Sequence, residues 1–190
     1  MHLYAAVVPP AHALRDLDAV VEAAAVPVSE LTPTAPAVKL TPIAHFGNLT
    51  RGDARSLIDT LARHVAGHAP FELSLGGGAA LEWPGDVSAW VKYQGDVDRL
   101  RALGREVTAA AQVRRIFVDR RAFRPLLALG EITEETTEVA LQRLLDRLDA
   151  YQGPTWTLDR VQVLRTRASS DGDGMLIHEL FEELPLTASP

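Results

Sequence analysis

Leu40-Thr41-Pro42-Ile43-Ala44-His45-Phe46-Gly47-Asn48-Leu49-Thr50 is the stretch on which the fold turns. Residues 38–46 read as a strand that ends at Gly47-Asn48. Thr50 then caps a helix running to about residue 67, with Asp53 in its first turn and Leu57, Ile58 and Leu61 on its inner face. The same order recurs at 125–151. A strand over Phe123–Leu129 passes through Gly130, and Thr133 is the expected cap of a helix with Glu134 and Glu135 in its first turn. Two strand–glycine–helix units in one chain imply a duplicated, pseudo-two-fold arrangement.

Upstream, Leu3–Val8 is a short apolar run closed by Pro9-Pro10, which suits a buried strand. A helix follows from Ala11 to Ala25, with Leu14, Leu17, Val20 and Val21 on one face. Pro27, Pro33 and Pro36 mark residues 27–37 as a loop without regular structure. Phe71–Leu75 alternates as a half-buried strand, Gly76-Gly77-Gly78 interrupts it, and Val87–Tyr93 is a further strand. Asp96–Ala110 has helical spacing, and Arg114–Val118 is short and irregular. Thr157–Arg165 and Met175–Leu184 pair as a hairpin around Ser169-Ser170-Asp171-Gly172-Asp173-Gly174. The tally is about seven strands and four helices, an α+β chain.

The 190 residues are 47% hydrophobic and 23% charged, an ordinary globular composition. A net charge of −6 argues against non-specific attraction to phosphate over the whole surface. Cysteine is absent, which excludes disulfides, thiolate catalysis and cysteine-bound zinc. No apolar run approaches the ~18–20 residues of a membrane helix. The first residues read as a strand rather than a secretion signal, and a cytoplasmic location is the expectation.

Four ordered fragments carry a resemblance: the start through Pro9-Pro10, Leu40–Leu49 with Phe71–Gly77, Phe123–Gly130, and Trp156–Arg165 with Leu180–Leu186. Their order and spacing resemble the bacterial 2′-5′ RNA ligase and RNA 2′,3′-cyclic phosphodiesterase branch of the 2H phosphoesterases. The resemblance implies two pseudo-symmetric lobes, with antiparallel sheets and outer helices around a central cleft. It also implies a His-x-Thr motif from each lobe. One imidazole acts as base and the other as acid, each titrating near 6.5 when unperturbed, and the threonines hold phosphate.

This sequence departs from the family at those positions. Counting back from Gly47, the first motif falls on Leu40 and Pro42; counting on from Phe123-Arg124-Pro125, the second falls on Leu126 and Ala128. None of the four transfers a proton or donates a side-chain hydrogen bond. A bulge at Pro42 is the alternative register, turning Lys39 and Thr41 into the cleft, where Lys39 binds phosphate.

The leading expectation is a protein without the family's phosphodiesterase activity. Its cleft, at Tyr4, Lys39, Leu40, Thr41, Pro42, Arg124, Leu126 and Ala128, binds a nucleotide, an RNA end or a less polar small ligand. The alternative is an active enzyme. It is either a weak RNA 2′,3′-cyclic phosphodiesterase using Lys39, Thr41 and Arg124, or a catalyst of other small-molecule chemistry. A third possibility is an interaction role with the cleft unused. No cofactor, metal, membrane or DNA partner is expected, and residues 1–190 are expected to form one two-lobed, monomeric domain.

Other candidates have plainer readings beside the functional one. In the unbulged register His45 points away from the cleft, as a strand-end histidine. His64 and His68 have i, i+4 spacing but read as surface residues at a helix end. Tyr4 and Trp90 are either stacking groups along the cleft or core aromatics. Arg114, Arg115, Arg120 and Arg121 are either a phosphate patch or a solvated loop paired with carboxylates. Asp171-Gly172-Asp173-Gly174 reads as a hairpin turn rather than a calcium loop. His2, His12 and His178 have no partner legible in sequence.

Overall fold

The computed structural model describes residues 1–35, 39–83, 86–118, 123–168 and 176–189. Within them lie nine strands and four helices. In chain order these are β1 (His2–Val7), α1 (Ala11–Ala23), β2 (Leu31–Pro33), β3 (Thr41–Asn48), α2 (Arg51–Val65), β4 (Phe71–Trp83) and β5 (Asp86–Gly95). They continue as α3 (Val97–Val113), β6 (Leu126–Ile132), α4 (Glu138–Ala150), β7 (Trp156–Leu158), β8 (Arg160–Ala168) and β9 (Leu176–Pro185).

All pairings are antiparallel. One sheet has the order β3-β1-β8-β9 and the other β2-β6-β5-β4-β7. Each sheet buries one face under helices. α2 and α3 lie together against β3 and β9, and α1 and α4 lie against β4. Alternation does this work along β1, where Leu3, Ala5 and Val7 enter the main core while Tyr4 and Ala6 point the other way. Along β6, Leu127 and Leu129 enter the same core. The helix-free faces carry Tyr4, Ala6 and Leu164 on the first sheet, and Leu126 and Ala128 on the second. This is the α+β, two-lobed arrangement the sequence implies, with the two strand–glycine–helix units as β3–α2 and β6–α4.

Several elements differ from the sequence reading. Residues 31–33 form β2, which pairs with β6 (Leu31 opposite Ile132) inside the proline-rich stretch expected to be a loop. An edge strand of three residues needs few donors, so Pro33 is tolerated at its end. β4 does not stop at Gly76-Gly77-Gly78 but runs through it. A bulge between Leu75 and Gly78 absorbs Gly77, which has φ 78°. Gly78 lets α4 approach, since a Cβ there would stand 2.9 Å from Leu145 Cδ2.

α4 begins at Glu138, and its cap is Thr137, whose hydroxyl accepts from Ala140 N–H at 3.2 Å. Thr133, the expected cap, instead makes a turn in which its N–H donates to Thr136 Oγ1 at 2.8 Å. The expected strand 157–165 is two strands, β7 and β8, one in each sheet. The hairpin tip 169–174, the candidate turn at Asp171–Gly174, Arg120 and Arg121 lie outside the described residues. Among the described residues no helix is long and apolar enough to cross a membrane.

Candidate functional site

β3 is an edge strand, and its register against β1 shifts twice. Thr41 faces Val7 and Pro42 faces Ala6, then Ala44 faces Ala5 and His45 faces Tyr4. Ile43 and Phe46 are the extra residues at these irregularities. Each shift turns the side chains over. Ile43, Ala44 and Phe46 therefore all reach the core, while Pro42 and His45 share the opposite face with Ala6 and Tyr4. His45 thus does not point away from the cleft as the unbulged register has it. Its ring stacks on Tyr4, with centroids 5.4 Å apart.

Leu40 just precedes β3 and Pro42 lies at its start, in the first sheet, and Leu126 and Ala128 lie on β6 in the second. Leu40 packs against Tyr4, Ala6 and Leu164. Pro42 lies opposite Ala6, Leu126 opposite Lys92, and Ala128 opposite Trp90. Between them, beneath this surface, Thr41 joins the two sheets. It is 2% exposed; its hydroxyl donates to the Leu126 carbonyl at 2.9 Å and lies 2.9 Å from Tyr93 Oη. With the Thr41 hydrogen on that carbonyl, Tyr93 donates to Thr41. Burial pushes the Tyr93 hydroxyl well above its ordinary range, so it stays protonated.

Lys39 forms an ion pair with Asp18 on α1. A bulge therefore exists close to Pro42, yet Lys39 and Thr41 are held by Asp18 and by Tyr93 with Leu126, not turned together into the cleft. Arg124 is half-buried and has contacts of its own. Tyr4, Leu40 and Pro42 share one wall, Leu126 and Ala128 the other, and Lys39 and Thr41 are gathered on neither.

The first wall holds a feature the sequence did not announce. Tyr4 is 2% exposed, and its hydroxyl oxygen lies 2.6 Å from Nδ1 of His178 on β9, with the two rings edge to face. Burial pushes Tyr4 up to about 12 and pulls His178 below its usual value. At neutral pH both are uncharged. His45, Tyr4 and His178 thus form a track across the sheet, beside Leu164 and the exposed Leu180 opposite it. The signal for it was the alternation in β9, but its register against β8 shifts at Leu164, so no spacing rule gives the contact.

Trp90 is partly buried, and its indole Nε1 has no partner among the described residues. His68 Nε2 lies 2.9 Å from Glu106 Oε2 rather than being joined to His64. No group of three or more metal-ligating side chains occurs among the described residues.

No family model and no curated protein sequence matches the chain. Solved structures do. E. coli LigT complexed with 3′-AMP superposes with a TM-score of 0.76 at 15% identity, over 98% of both chains. TT0787 of Thermus thermophilus gives 0.68 at 19% identity over the whole of both chains. LigT has the same likeness when complexed with NADP+, at TM-score 0.75, 15% identity and 98% of both chains. At such identities the shared property is the fold, and the chain has the two-lobed fold of the 2H phosphoesterases.

Proposed function

We propose that this chain is a binding protein on a phosphoesterase fold, taking a nucleotide, an RNA end or a less polar small molecule in its inter-lobe cleft without cleaving a phosphodiester. One observation carries the reading: Leu40, Pro42, Leu126 and Ala128, which the family resemblance puts at the four motif positions, line the two helix-free faces with carbon. Loss of one acid–base partner costs about 10²–10⁴-fold in rate, and here both are replaced, together with both phosphate donors. Leu40 and the exposed Leu180, which lie over the buried Tyr4, Ala6 and Leu164, favour the flat, less polar part of a ligand over its phosphate. The complexes of LigT with 3′-AMP and NADP+ support a nucleotide as the first class to test.

A weak cyclic phosphodiesterase built on Lys39, Thr41 and Arg124 has less support, because Asp18 engages Lys39 and Thr41 is buried. The test is an assay of 2′,3′-cyclic AMP beside a thermal-shift series with AMP, NADP+ and planar apolar compounds. The expected result is stabilisation by at least one of these and no turnover. Turnover that disappears in Lys39→Ala would overturn the non-catalytic reading, and no stabilisation by any compound would overturn the binding reading.

A further inference from the structure

The most basic stretch of this acidic chain leaves α3 as Val113-Arg114-Arg115-Ile116-Phe117. The helix is closed by two backbone bonds, from Arg115 N–H to Gln112 O at 2.8 Å and from Ile116 N–H to Ala111 O at 3.2 Å. This closure places the residue after the helix in the left-handed region, where glycine or asparagine is the usual occupant. Here it is Arg115, with φ 57°. An arginine in that conformation is strained, and such outliers cluster at ligand-contacting sites. The packing of the turn is done by its neighbour Ile116, which lies against the main core.

The Arg115 guanidinium makes no hydrogen bond or ion pair among the described residues, and Arg114 donates to Ser56 Oγ on α2. The carboxylate pairing expected of a solvated loop is therefore not found for either among those residues. The two arginines and Phe117 border a recess of about 390 Å³ whose other side is the Gly47-Asn48-Leu49 turn. Asp53 also lines it, and accepts from the Thr50 hydroxyl at 2.7 Å. Phe117 is 79% exposed and Val113 76%. Two guanidiniums against one carboxylate favour an anion. A bare aromatic ring beside them favours an anion that carries flat rings.

We infer that this recess is a contact site for single-stranded nucleic acid, with phosphate held by Arg114 and Arg115 and a base stacked on Phe117. An acidic peptide matches the charges but leaves the exposed ring without a partner. The inference does not depend on what occupies the inter-lobe cleft.

The test uses the full chain and a labelled oligouridylate of about twelve nucleotides, followed by fluorescence anisotropy between ~50 and ~200 mM salt. Arg115→Gly removes the charge while relieving the backbone. Its thermal midpoint is expected to be unchanged or higher, its affinity lower, and the slope of log K against log salt shallower by ~0.7. Phe117→Ala is expected to weaken binding by roughly 5- to 150-fold. Poly-glutamate of matched charge is expected to compete poorly. Wild-type affinity in both variants, equal competition by poly-glutamate, or no binding by the wild type at ~50 mM salt would each overturn the inference.

Discussion

Tyr4 shows how one side chain joins packing to titration. Its ring fills the space between His45 and Leu164, and its hydroxyl meets His178 Nδ1 at 2.6 Å. Tyr4→Phe keeps the ring and removes the hydrogen bond, so the expected cost is about 0.5–1.5 kcal/mol by urea denaturation. His178 has a folded pKa below its unfolded value, because burial disfavours the imidazolium. The unfolded chain therefore binds the proton more readily. This contribution to stability is complete above the unfolded value near 6.5 and is lost as pH falls from there through the folded value. The difference in unfolding free energy between the wild type and His178→Gln is expected to shrink over that window. A difference flat in pH would contradict it.

Thr41→Val strips a buried pair of partners, leaving Tyr93 Oη and the Leu126 carbonyl unsatisfied, at an expected cost of about 1–3 kcal/mol, with Thr41→Ser close to wild type. At this scale, legibility follows separation along the chain. The Thr50 cap was readable because its partner Asp53 is three residues away, whereas Thr41 and Tyr93 are 52 residues apart.

Among the elements, the four helices were legible because apolar spacing such as Leu57, Leu61 and Val65 is local and repeats within one segment. What failed depended on partners. β2 is three residues that become a strand only because β6 offers them a free edge. β4 continues through three glycines because β5 pairs with it on both sides of the bulge. The His45 face was misread because the shifts in β3 are set by its register on β1. β2 also gives a sharp test. Gly130 lies opposite Pro33, and a Cβ there would stand 2.7 Å from the Thr32 carbonyl oxygen. That neighbour is backbone and cannot rotate aside. Gly130→Ala is expected to cost about 1–3 kcal/mol and to speed amide exchange in β2, read by hydrogen-exchange mass spectrometry. Slow exchange there with unchanged stability would show that β2 does not rest on this close approach.

For the molecule as a whole, the sequence assigned the replaced motif positions only through the family resemblance, counting from glycine and proline marks. It did not show the wall around them, which is assembled from β1, β3, β8 and β9. The two motif sites lie on different sheets, joined beneath by the Thr41–Leu126 bond. Acid and base must act on opposite sides of one phosphorus, so neither sheet supplies the chemistry alone. Leu126→His with Ala128→Thr rebuilds one wall, and Leu40→His with Pro42→Thr the other. Each pair alone is expected to leave 2′,3′-cyclic AMP turnover at the wild-type level. All four together are expected to raise it above both, because groups that act as a unit are not additive. The first wall resists more: Leu40 sits against Tyr4, Ala6 and Leu164, so an imidazole there loses water and the thermal midpoint should fall. A single rebuilt pair that turns over substrate as fast as all four would show that the chemistry does not need both walls, and that the carbon lining of this cleft is not what silences it.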